Sequence, residues 1–182
     1  LHDALPISVV NELRTLLDKK RPDLKNSLIK LINSSAKDKK SYWHNRNSLE
    51  DFYRFLDKWR TYTPEGIANA QDYSERFKSL YTKKDSKNKA YYIDAGIKLV
   101  RDKDFTDWMH RFVRERGKFM DGKASAAIVK RWLDNGTIDM RSYEIPQGGF
   151  VSFNDFFTRR LKPGARPIAE PNNDAALICP AD

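Results

Sequence analysis

Arg159, Arg160, Lys162 and Arg166 gather four cations at the end of a short aromatic segment that holds Phe153, Asn154, Phe156 and Phe157. Arginine offers planar, bidentate donors and lysine a compact point charge, so such a cluster has the chemistry to hold carboxylates or phosphates. The pattern alone favours a simpler role. Ser152 is placed to cap a helix and Asp155 to answer from its third position, so Phe153 opens a short helix with Phe156, Phe157 and Leu161 along one side. The cations then fall where the helix dipole is negative and where Lys162, Pro163, Gly164, Ala165, Arg166 and Pro167 turn the chain. The softer ligand types, Cys179, His2, His44 and His110, are scattered through the sequence, which argues against a structural zinc site and leaves no metal ligands to propose. One cysteine cannot form an internal disulfide. His110 lies beside an apolar stripe and is given no catalytic role.

The elements that must position this segment are helical. From residue 8 to about 133, apolar residues recur at spacings of three and four with charged residues between them. Val10, Leu13 and Leu17 make one stripe. After Pro22, suited to a first helical position, Leu24, Leu28, Leu31 and Ile32 make a second. Polar residues from 33 to 40 break the pattern. Ser48 and Asp51 form a capping-box start for a helix with the stripe Leu49, Phe52, Phe55, Leu56 and Trp59. Pro64 and Gly66 mark a loop, and Tyr73, Phe77, Leu80 and Tyr81 continue the helical spacing. Residues 83–89 read as a lysine-rich solvated connector. The clearest helix spans about 102–115, with Phe105, Trp108, Met109, Phe112 and Val113 inward and Gly117 as its stop. A last helix near 125–133 turns Ile128, Val129, Trp132 and Leu133 inward and ends at Asn135-Gly136.

The chain has 182 residues and a formal charge of +9, with 40% hydrophobic residues. No apolar run approaches the roughly 18 residues that a membrane-spanning helix needs. Residues 1–7, LHDALPI, lack the organisation of a signal peptide. Their codons can be written to match the end of a common sequencing adapter, so they are expected to be an artefact. The expected fold is mainly α: a helical N-terminal domain over 8–135, a linker over 136–149, and over 150–182 the first helix and strand of a truncated β-rich catalytic domain. The strand is the apolar run 175–179, and a partly built domain would leave its edge unpaired and the face of Phe153, Phe156 and Phe157 without a partner.

The stretch FVSFNDFFTRRLKPGARPI (150–168), an acidic spacer and LICPAD (177–182) together resemble the phosphatidylserine decarboxylase family. The shared features are the aromatic Phe-Asn-acid-Phe-Phe helix, the basic Leu-Lys-Pro-Gly-x-Arg-Pro-Ile turn, and a strand that enters Pro-Ala-Asp. More loosely, the helical region resembles the extension before the catalytic domain in tryptophan decarboxylase-like members. The resemblance implies a proenzyme that cuts itself at an internal Ser, which becomes a pyruvoyl cofactor. That carbonyl takes the substrate amine as a Schiff base and accepts electrons as carbon dioxide leaves. It also implies that Asp182 is the Asp of an Asp-His-Ser self-cleavage triad. The corresponding His and Ser fall beyond Asp182, so these 182 residues alone are expected to be inactive.

The resemblance implies phosphatidylserine as substrate, with an aromatic L-amino acid such as tryptophan as the alternative. Partners would be that substrate, the remainder of the proenzyme chain and a peripheral contact with an anionic membrane, which the positive charge and amphipathic helices suit. A non-enzymatic basic module is the further alternative. The charges are spread through every helix and no nucleic-acid motif is present, so no nucleic-acid partner is expected. The lone cysteine and the composition suit the cytoplasm or its membrane face.

Overall fold

The computed structural model describes residues 8–84, 87, 89–136, 138–175 and 177. The fold is mainly α. Its contacts divide the chain into two compact units, with the division between Met120 and Asp121.

The first unit opens with α1 (Val9–Thr15), capped by the Ser8 hydroxyl and continued by a π-helical turn, Leu16–Lys20. Pro22 occupies the first turn of α2 (Pro22–Ala36), where its missing N–H costs nothing. α3 (Leu49–Arg60) starts at the expected capping box: Ser48 Oγ accepts from Asp51 N at 3.1 Å, and Asp51 Oδ2 accepts from Ser48 N at 3.3 Å. α4 (Asp72–Lys78) and the short strands β1 (Thr82–Lys84) and β2 (Ala90–Tyr92) follow. α5 (Asp94–Arg101) and α6 (Lys103–Asp121) complete the series, and Asp102 Oδ1 caps α6 by accepting from Phe105 N at 3.1 Å.

Aromatic residues fill the core of this unit. Ring contacts run from Trp43 to Phe55 (5.1 Å between centroids), on to Trp59 (5.7 Å), across to Phe112 (5.2 Å) and along α6 to Trp108 (5.6 Å). Trp43 and Trp108 are fully buried, so each indole N–H needs a partner. Trp43 Nε1 donates to Arg76 O at 2.9 Å, and Trp108 Nε1 donates to Val9 O at 2.7 Å, tying α6 to the start of α1. At the end of α3, Arg116 donates to the carbonyls of Trp59 (2.6 Å) and Tyr62 (2.7 Å).

Several expectations change. The segment 83–89 is not a plain connector, because β1 and β2 pair antiparallel with Lys83 opposite Tyr91. Three-residue strands are too short to show an alternating pattern. α5 has no counterpart in the sequence reading, and α2 runs on through the polar residues to Ala36. α6 does not stop at Gly117 but runs to Asp121, with open space around the Gly117 Cα. Val113 is exposed: at 100° per residue it lies on the margin of the stripe set by Phe105, Trp108 and Phe112. The last expected helix is a 3-10 turn, Lys123–Ile128, followed by α7 (Val129–Asp134), with Leu133 exposed.

Gly96 shows why α5 lies where it does. A Cβ built there would be 2.2 Å from Tyr81 Cβ and 2.6 Å from Tyr81 Cα, so only glycine permits this approach. Gly96→Ala should therefore destabilise the first unit by about 1–3 kcal/mol, read as a lower denaturant midpoint.

Arg21 joins three elements. It contacts Asp23 at 2.9 Å, Asp102 at 2.8 Å and Asp104 at 2.6 Å. The hydrogen bond from Arg21 holds the Asp23 carboxyl at about 2, against an ordinary 3.8. Burial opposes ionisation of Asp102, but the Arg21 bond and the Phe105 N–H outweigh it and its pKa is also lowered. Carboxyls held below their ordinary value stabilise the fold above that value and lose the contribution as pH falls toward the native value. Acid titration of folding should thus show stability declining from about pH 4 toward about pH 2, and Arg21→Gln should flatten that decline.

Candidate functional site

The second unit holds the aromatic and basic segment. Its first element is the 3-10 turn Lys123–Ile128, whose Ser125 is buried and donates to Gly122 O at 2.7 Å. The Ser125 oxygen then accepts from Phe153 N at 2.8 Å. That bond fixes the first residue of α8 (Phe153–Phe157), an otherwise orphaned helix N–H. Ser152 caps the same helix, accepting from Asp155 N at 3.0 Å. Asp155 does not close the reciprocal box at Ser152; it accepts from Val151 N at 2.9 Å, one residue earlier. Asn154 Nδ2 donates to Asp121 Oδ1 at 2.8 Å, a second tie between the beginning of the unit and α8.

Trp132 of α7 packs on Phe153 (6.0 Å) and Phe156 (5.9 Å), and Phe150 meets Phe156 edge-on at 5.4 Å. Phe153 and Phe156 therefore have a partner, which corrects the expectation of an uncovered face. Phe157 is not covered: it is 69% exposed, and Leu161 is exposed as well. At i+4 Phe157 lies beside Phe153 and its ring stacks on it at 6.2 Å, but it stays exposed while Phe153 and Phe156 pack on Trp132. The packing of Trp132 on α8 places α7 within the second unit.

The expected linker is paired with the turn that follows α8. Tyr143 and Leu161 form an antiparallel bridge, Glu144 N donates to Arg160 O at 2.8 Å, and Lys162 N donates to Ser142 O at 2.9 Å. Lys162, Pro163, Gly164 and Ala165 then form a tight turn: Ala165 N donates to Lys162 O at 3.1 Å, and Gly164 has φ +73°. Proline at the second position and a left-handed glycine at the third are the demands of a type II turn.

The cations do not act as one cluster. Arg159 caps α8, donating from Nη1 to Phe156 O at 3.1 Å, and its guanidinium lies 4.1 Å from the Tyr143 ring centroid and 4.8 Å from that of Phe156. Its Nε is buried without a hydrogen-bond partner. Arg160 and Lys162 are exposed, as is Pro167, while Arg166 reaches the Tyr143 hydroxyl at 3.4 Å. A cavity of about 710 Å³ borders this region, lined by Thr158, Arg159 and Arg160 together with Glu144, Phe150 and Asp155. Tyr143 and Ser125 organise the segment, yet neither stands out in the sequence: a lone Tyr between loops and a Ser inside a helical pattern carry no motif.

Asp182, Cys179 and His2 lie outside the described residues, as does most of the expected strand 175–179. Of that run, Ala175 is in a turn and Leu177 is exposed. His44 belongs to the first unit, its Nδ1 3.1 Å from Ala36 O, and His110 is exposed on α6. Among the described residues, no group of three or more His, Cys, Asp or Glu side chains is placed to hold a metal ion. No helix among them is long and apolar enough to cross a membrane.

No family model matches the chain, and no solved structure matches it. Curated proteins do. The phosphatidylserine decarboxylase proenzyme 3 of Schizosaccharomyces pombe is 40% identical over 68 residues, which is 37% of this chain and 7% of that protein. The phosphatidylserine decarboxylase proenzyme of Clostridium novyi is 41% identical over 71 residues, 39% of this chain and 23% of that protein. The phosphatidylserine decarboxylase proenzyme 2 of Oryza sativa subsp. japonica is 34% identical over 94 residues, 50% of this chain and 15% of that protein. Each match is longer than the motif-bearing stretch 150–182, so the similarity is not confined to it. These relatives define a class of carboxy-lyases named as proenzymes. Over these stretches the chain is similar to phosphatidylserine decarboxylase proenzymes, and it spans less than a quarter of the length of these relatives.

The Ser125–Phe153 bond gives a direct test of how α8 is held. Ser125→Ala would leave the buried Phe153 N–H unpaired, at about 1–3 kcal/mol. The expected result is faster amide exchange at Phe153 and across α8, with exchange in α1 to α5 unchanged.

Proposed function

We propose that this chain supplies the N-terminal part of a pyruvoyl-dependent decarboxylase that converts phosphatidylserine to phosphatidylethanolamine and carbon dioxide. The observation that carries the reading is the similarity to named proenzymes, joined to an α8 and a Lys162–Pro163–Gly164 turn built as one hydrogen-bonded unit. In this reading residues 8–135 are a helical extension, 136–149 join it to the catalytic domain, and 150–182 open that domain. Phe153, Asn154 and Phe156 anchor the opening helix. Arg159 caps it, and Lys162, Pro163, Gly164, Arg166 and Pro167 form the turn that follows it.

Asp182 is proposed as the carboxylate of the self-cleavage triad, orienting a His that removes the proton of the cleaved Ser. The pyruvoyl group supplies an electron-withdrawing carbonyl. The described residues do not fit its formation: among them, neither His44 nor His110 hydrogen-bonds a serine hydroxyl. What they do is hold α8 and the turn that leads to Asp182. A peripheral contact with anionic lipid suits the positive charge, and the cytoplasm or its membrane face is the proposed location.

An aromatic amino-acid decarboxylase is the second reading, favoured by the long helical unit that precedes the motif-bearing segment. The test is to express the reading frame continued past Asp182 and to follow self-cleavage by mass spectrometry. Cleavage into two subunits, abolished by Asp182→Asn, is expected, and an uncleaved product would overturn the proposal. Release of carbon dioxide from phosphatidylserine but not from tryptophan would separate the two substrates. The 182-residue chain alone should release none from either.

A further inference from the structure

A cavity of about 750 Å³ in the first unit lies among the end of α2, the turn after it, the end of α4 and β1. Four lysines line it: Lys40 in the turn, Lys78 at the end of α4, and Lys83 and Lys84 in β1. Lysines beside helix C-termini ordinarily serve the exposed carbonyls there. These carbonyls are already served. Ala36 O accepts from Asn45 N and lies 3.1 Å from His44 Nδ1; Arg76 O accepts from Trp43 Nε1 and Ser79 Oγ; Lys78 O accepts from Tyr81 N and Thr82 Oγ1. The ammonium groups of Lys40 and Lys84 have no ion-pair partner among the described residues.

The hydroxyls point the same way. Ser34 Oγ accepts from Lys83 Nζ at 3.2 Å and Ser41 Oγ accepts from Trp43 N at 3.1 Å. In both, the oxygen is used as an acceptor and the proton remains to be donated. Two acids also line the cavity, but Asp38 accepts from Lys40 N at 2.9 Å and Glu75 is 3.5 Å from Lys78 Nζ. The lining therefore carries an excess of positive charge and unspent donors.

We propose that this cavity binds a phosphate-bearing anion through the four lysines and the Ser34 and Ser41 hydroxyls. Point charges from three separate elements suit a tetrahedral group that accepts from several directions, whereas a planar carboxylate is better matched by the arginine fork, and among the described residues no arginine lines the cavity. The proposal does not depend on the decarboxylase reading.

Calorimetric titration of the full chain with inorganic pyrophosphate tests it. Saturable binding is expected, weakened about tenfold or more by Lys40→Gln/Lys84→Gln and unchanged by the charge-matched pair Lys118→Gln/Lys130→Gln. Ser34→Ala, which leaves the charge intact, should weaken it too and serves if the lysine pair fails to fold. Vesicles of phosphatidylcholine with phosphatidic acid distinguish the sources. Vesicle binding that pyrophosphate competes away identifies a lipid phosphate, and pyrophosphate binding without vesicle binding identifies a soluble one. Absence of saturable heat, or equal weakening by both lysine pairs, would overturn the proposal.

Discussion

Burial of a continuous run of aromatic rings is the constraint on which the first unit depends. Trp43, Phe55, Trp59, Phe112 and Trp108 are in ring contact in sequence, and the run crosses from the turn after α2 through α3 to α6. Each ring buries a large apolar surface, and each buried indole adds a donor that must be satisfied. The Trp43 bond to Arg76 O and the Trp108 bond to Val9 O convert that requirement into two long-range ties. Around them sit arginines that serve carbonyls and carboxylates at helix ends: Arg14 pairs with Glu50 while lying 4.0 Å over the Tyr53 ring, and Arg116 serves the end of α3.

The second unit repeats the logic on a smaller scale. Trp132 covers Phe153 and Phe156, and the buried Ser125 hydroxyl takes up the N–H that begins α8. A helix of five residues cannot stand on its own hydrogen bonds, because nucleation is unfavourable and few bonds follow it. It exists here because its apolar face and its first N–H are both met from residues far upstream, Trp132 and Ser125. Arg159 then passes from the end of α8 to the Tyr143 ring, and the bridge between Tyr143 and Leu161 holds the following turn. The aromatic helix and the basic turn are thus parts of one support.

Charge is distributed differently in the two units. Arg21 is spent among three carboxylates, and most helix-surface lysines with a partner have it within one turn. Lys40 and Lys84 at the cavity beside β1 are the exception, while the helix ends there are closed by Trp43, His44, Ser79 and Thr82. Arg160 is likewise exposed, but it borders a cavity that Glu144 and Asp155 share. A positive total describes neither place.

Periodicity and caps were legible from the sequence, because they depend on residues close together. The stripes of α2, α3 and α6, Pro22 in a first turn, the Ser48–Asp51 box and the Ser152 cap all involve neighbours within two turns. The family resemblance was legible for a similar reason, being carried by a short ordered string of residue types. Tertiary structure decided the rest. Gly117 did not end α6, since nothing crowds it and Arg116 is anchored beside it, whereas Gly96 proved indispensable through an approach to Tyr81 that no local pattern announces. Phe153 and Phe157 are both phenylalanines of one motif, yet one is buried and the other exposed. Which of them turns inward depends on where Trp132 stands, and that position is set by long-range packing, which the chain's local spacing does not encode.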